Sequence, residues 1–209
     1  MRPTTKPRAF DELHALLIGA ILAHLDFLDE QIERLSDAIE EQLRPFEPAV
    51  GLLCTIPGIE TRTAQNILAE IGTDMSVFPT AGHLASWAGV CPGNNQSAGK
   101  RRSGRTRKES KWLELALKDA AMSAANTNDS YLQAQYRRLK PRVGHSCALG
   151  AVKHSILYAI WHMLQTGELY KDLGGDYFRH RNPERETRRL VAQLEALGHN
   201  VTLQHAAAA

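Results

Sequence analysis

Three cysteines in 209 residues, Cys54, Cys91 and Cys147, are too few, too far apart and odd in number to staple a fold. No C-x-x-C pair occurs, so neither a disulfide framework nor a thiolate zinc site is indicated. No His-x-x-x-His pair lies on any helical stretch, and a single histidine such as His154 or His162 reads as a packed side chain rather than a ligand. No protein-built metal site is assigned. The opening MRPTTKPRAF has no apolar core of a signal peptide, and nowhere do about 18 apolar residues run together as a membrane span requires. These absences lead to the expectation of a cytoplasmic protein with no membrane contact.

Net charge is only +2, but the charges are segregated. Residues 11–50 carry ten carboxylates against Arg34 and Arg44, which leaves a basic surplus for the remainder. That surplus peaks in KRRSGRTRKESK, residues 100–111, where Glu109 is the one opposing charge. Such density calls for an anionic partner or bulk water.

Helical periodicity dominates the chain. Leu17, Ile21, His24, Leu28, Ile32, Leu35, Ile39, Leu43 and Phe46 recur every three or four residues and predict one long N-terminal helix with a coiled-coil seam over residues 10–46, ended by Pro45 and Pro48. Pairing with a second copy would cover that seam; folding back on the C-terminal helices is the alternative. Asp26, Asp29 and Glu33 fall on its polar face. Further helices are predicted over 110–126, with Ser110 as its cap, and over 129–139, 146–166 and 183–197, the last opened by Asn182-Pro183 and closed by Gly198. The fold class is all-α, divided into the long helix, a helical domain over 49–178 and a C-terminal helix and tail over 179–209.

Within GLLCTIPGIETRTAQNILAEIG, residues 51–72, a Pro57-Gly58 turn separates two apolar helical stretches. Ile56, Ile59, Ala64, Ile67, Leu68 and Ile71 are spaced to hold those helices against each other, and Gly58 suits a positive φ. Backbone N–H groups at such a turn and at the next helix start make a phosphate site. Gly58, Ile59, Thr61, Arg62 and Thr63 are the candidate contacts. The pattern resembles the helix-hairpin-helix motif of DNA repair and recombination proteins; a plain helical hairpin is the alternative. Ser97, in the glycine-containing loop NNQSAGK, is followed by Lys100, Arg101, Arg102, Arg105, Arg107 and Lys108. A serine hydroxyl needs its proton removed and the developing phosphate charge stabilised, and arginine forks serve the second need. Ser97 as an ordinary turn serine remains the alternative.

LLCTIPGIETRTAQNILAEIG, FPTAGHLASWAGVCPGNNQSAGKRRSGRTRK, KWLELALKDAA and GAVKHSILYAIWHMLQTGELY, taken in order over about residues 50–178, resemble the C-terminal domain of IS110-family insertion-sequence transposases. The resemblance implies a serine nucleophile at Ser97, with the loop cations holding DNA phosphates. It also implies a magnesium-binding RNase H-like domain preceding a coiled coil, and a structured guide RNA as partner. Ala98-Gly99 stands where the family often shows two glycines, and Ser103 is a competing hydroxyl. No strand-rich domain precedes the long helix in this sequence, so this chain alone is expected to bind no magnesium and to be an incomplete enzyme. The resulting expectation is DNA transposition or recombination through Ser97. The rival is a non-catalytic protein that binds element ends or traps full-length transposase through the long helix.

Overall fold

Thirty-two consecutive residues, Glu12–Leu43, form the first helix, α1, about 48 Å long at 1.5 Å per residue. In the computed structural model, residues 12–91 and 110–203 are described in full, and residues 95–97 and 100–103 as backbone. Pro45 stops α1 at Leu43, as its ring demands, but the chain does not leave helical geometry. A 3₁₀ turn, Arg44–Phe46, leads directly into α2, Glu47–Leu53. Pro48 therefore does not end a helix. It sits in the first turn of one, where its missing N–H costs nothing.

The chain falls into two units, residues 1–47 and 48–209. In the first, no described side chain of α1 is buried. Its apolar positions are wider than a coiled-coil seam. Leu13, Leu16, Leu17, Ile18, Ile21, Leu22, Leu25, Phe27 and Leu28 are all at least 40% exposed, so the N-terminal half is apolar over much of its circumference.

The second unit is built on α3 (Thr61–Ile71), α4 (Ala81–Trp87), α5 (Lys111–Asn126), α6 (Tyr131–Val143), α7 (His145–Thr166), α8 (Tyr177–His180) and α9 (Pro183–Ala196). Among the described residues this is an all-helical fold interrupted by one two-stranded ribbon between α4 and α5. Helix α7 is its axis. Apolar side chains recur on several of its faces, and it packs against α4, α5 and α6 at once, burying Val152, Ile156, Leu157 and Ile160 completely. Trp161 of α7 donates its indole N–H to the carbonyl of Phe78, 2.9 Å away, tying the α3–α4 connection to the axis.

Short polar residues fix the helix starts. Thr80, Ser130 and Asn182 each accept a backbone N–H three residues on, from His83, Gln133 and Arg185, at the beginnings of α4, α6 and α9. Ser110 occupies the corresponding place before α5, but its side chain makes no capping bond. His154 is half-buried and stacks on Tyr158 at 4.4 Å, and burial pushes its imidazole pKa down. His162, by contrast, is exposed, its ring edge-on to Trp161.

Candidate nucleic-acid and serine site

The turn after α2 is held by local hydrogen bonds, Ile56 N–H to Leu53 O at 3.0 Å and Ile59 N–H to Ile56 O at 3.1 Å. Gly58 adopts a φ of +89°, as the Pro-Gly pair predicts. What the sequence did not disclose is where this turn faces. A β-carbon placed on Gly58 would lie 2.4 Å from the backbone nitrogen of Ala124 and 2.6 Å from the carbonyl oxygen of Ala120. Glycine is thus required twice, for its backbone angle and because the α5 backbone occupies the space a side chain needs.

The apolar residues flanking the turn are all buried, Ile56 and Ile59 included, but they do not serve mainly to join α2 to α3. Helix α3 packs on α5, a helix whose buried residues are mostly alanines, Ala116, Ala120, Ala121 and Ala124 among them, and small side chains permit close approach of helix backbones. The outward-facing turn expected from the sequence is therefore corrected. Ile59 is buried with its N–H engaged, and Gly58 faces α5. Thr61 and Arg62 are exposed at the start of α3 and Thr63 is half-buried. No side chain caps this helix start; Glu60 occupies the cap position without bonding to it.

The basic loop contains an antiparallel ribbon, β1 (Asn95–Ser97) and β2 (Lys100–Ser103). Ser97 pairs with Lys100, Gln96 with Arg101 and Asn95 with Ser103, with an irregularity between Asn95 and Gln96 that leaves Arg102 without a partner in the register. The two serines thus occupy opposite ends of the ribbon, Ser97 at its inner, closing end and Ser103 at its open end. Lys100, Arg101 and Arg102 all lie on the strand facing β1. Arg105, Arg107 and Lys108 lie outside the described residues. A second concentration of arginine, on α6, α8 and α9, was not singled out in the sequence; its signal was the density of arginine at 137–142 and 179–189.

Among the described residues no three His, Cys, Asp or Glu side chains gather to hold a metal ion. Asp26, Asp29 and Glu33 are exposed on α1. The chain's own described residues do not fit a magnesium site. No described helix is long and apolar enough to cross a membrane.

Residues 50–137 match the transposase IS116/IS110/IS902 family. Over that stretch the chain is similar to this family of transposases. It is 29% identical over 180 residues to the insertion element IS110 uncharacterized 43.6 kDa protein of Streptomyces coelicolor, covering 78% of this chain and 42% of that protein. To the insertion element IS900 uncharacterized 42 kDa protein of Mycobacterium paratuberculosis it is 26% identical over 162 residues, 76% of this chain and 40% of the other. The pilin gene-inverting protein of Moraxella bovis is 43% identical over 70 residues, 34% of this chain and 20% of its own length. The chain spans less than half the length of each of these relatives.

Proposed function

We propose that this chain is the DNA-binding and serine-bearing part of a transposase or recombinase. The observation that carries the reading is the family match over residues 50–137, which encloses the ribbon with Ser97 opposite Lys100. In the proposed step the Ser97 Oγ attacks a DNA phosphorus. A phosphoserine ester bond forms and a bond from phosphorus to a deoxyribose oxygen breaks. The serine proton passes to a base, and the leaving oxygen takes up a proton to become a hydroxyl. The strand remains attached to protein, and reversal by another strand's hydroxyl rejoins DNA without a nucleotide cofactor. Lys100, Arg101 and Arg102, with Arg105, Arg107 and Lys108 beyond them, supply positive charge for the phosphates. Thr61, Arg62 and Thr63 hold a neighbouring phosphate at the α3 start, in the manner of a helix-hairpin-helix contact. The packing of Gly58 on α5 keeps that helix start in register with the rest of the unit.

Binding to duplex DNA is expected to show little sequence preference and strong salt dependence. Six phosphate contacts would lower affinity about a thousandfold between 50 and 200 mM salt, read by fluorescence anisotropy. A flat salt response would overturn the proposal. A guide RNA, implied by the family resemblance, belongs to the same proposal and is tested by adding the element's own transcript.

Self-association through α1 follows from its uncovered apolar surface. Light scattering on the whole chain should give a multiple of 23.2 kDa. A chain beginning at Pro48 should scatter as a monomer, and monomeric mass in both would refute the idea.

A further inference from the structure

A groove of about 950 Å³ opens beside α6, α8 and α9. Helix α6 contributes Arg137, Arg138 and Arg142 to its lining. The α8 region adds Arg179 and Arg181, and α9 adds Arg185 and Arg189. Against these seven arginines stand Asp129, Asp176 and Glu186. Two of those carboxylates are already engaged, Asp176 with Arg179 at 2.9 Å and Glu186 with Arg189 at 2.5 Å. Arg137, Arg142, Arg181 and Arg185 form no ion pair with a described carboxylate.

The walls are braced within the protein. The Arg138 guanidinium lies over the Phe178 ring at 4.3 Å, and Tyr131 stacks on the same ring with centroids 5.2 Å apart. The Tyr131 N–H is bound to Asp172 Oδ1 at 2.8 Å, which fixes the chain leading into α8 against the start of α6. Gly175 lies so close to Asp129 that a β-carbon would come within 3.2 Å of its Cα. A surface that gathers like charges on three braced elements stores repulsion that an anion relieves.

The anion's shape follows from the spacing. Arg138 and Arg142 on α6, and Arg185 and Arg189 on α9, are each one turn apart, about 6 Å at the β-carbons. Rows of that kind match a succession of phosphates rather than one small ion, which would need donors converging on a point. A protein partner fits poorly, because the lining offers only Phe178 and Ala134 as apolar anchors.

We infer that this groove holds one phosphodiester strand of a DNA duplex, as a second DNA contact that shares no residue with the serine ribbon. The inference rests on the DNA-binding reading above but uses different residues, most of them beyond the 50–137 match. The test is anisotropy on the whole chain with a short random-sequence duplex. The combined variant Arg142→Gln, Arg181→Gln, Arg185→Gln is expected to bind about tenfold more weakly, with a salt slope shallower by about 3. All three side chains are exposed, so helical circular dichroism should be unchanged. Arg188→Gln, on α9 but outside the groove and with its side chain 80% exposed, should bind like the wild type. A parallel variant, Lys100→Gln, Arg101→Gln, Arg102→Gln, separates the two readings. Weak binding by the ribbon variant with wild-type binding by the groove variant would overturn the groove alone. Loss in the groove variant whatever the ribbon variant does would support it. No binding by the wild type would remove both proposals. An Arg188→Gln effect as large as one groove arginine, or capture of RNA duplex but not DNA, would also overturn the inference.

Discussion

Gly58→Ala is expected to lower the melting temperature of this protein by about 10 °C or to prevent its accumulation. The left-handed φ costs any other residue about 1–2 kcal/mol, and forcing a methyl group into the α5 backbone adds a further overpacking cost of about 1–3 kcal/mol. For a chain of this size each kcal/mol shifts melting by about 2–4 °C. The neighbours are backbone atoms of Ala120 and Ala124, so no side chain can swing aside to relieve the contact. Gly167→Ala is the internal control. Gly167 caps α7 with a φ of +74° and has open space where the β-carbon would go, so it should lose only a few degrees. Thermal melts followed by circular dichroism decide the matter, and equal losses at the two glycines would refute the close approach. The same comparison shows why a substitution at Gly58 is a poor probe of DNA binding: its first effect falls on the fold.

Ser97→Ala, made in a longer family member carrying this domain, is expected to abolish a covalent protein–DNA adduct and leave DNA affinity nearly unchanged. One hydroxyl adds little to binding beside the cations of residues 100–108, whereas no other atom at that position can form the ester. Ser97→Cys is expected to retain only a fraction of the rate, since the longer bonds of sulfur misplace the attacking atom and small misplacements are costly. Trapping on a nicked element end, a denaturing gel and peptide mapping provide the readout. An adduct on Ser103, at the other end of the ribbon, would overturn the assignment.

Helix ends were legible because the groups that set them act within one turn. Asn182-Pro183 and Gly198 bracket α9 as read, and Pro45 stops α1. The partner of α3 was not legible. A period of 3.6 residues identifies an apolar face but not what covers it, and α5, on which α3 packs, lies some fifty residues away in the chain. The same distance hid the inward aim of Gly58. Helix α8, four residues long, is too short to have a period at all. The arginine groove was hidden because it joins residues 137–142 to 179–189, and each cluster alone reads as a solvated helix face. Ser97 was singled out through family resemblance more than through its own surroundings, since a serine between glycines is what most turns contain.

The position of α7 bears on where this protein can be cut. The family match ends at residue 137, inside α6, yet the side chains that close the core over α4 and α5 come from residues 148–163. Tyr170, further still along the chain, donates its N–H to Thr55 beside the glycine turn. A fragment trimmed to the recognised stretch would expose the alanine face of α5 and the floor beneath Leu84, and would have no means of covering them. The smallest piece worth expressing therefore runs from Pro48 through Tyr170, and the recognisable part of the sequence is shorter than the part that must fold.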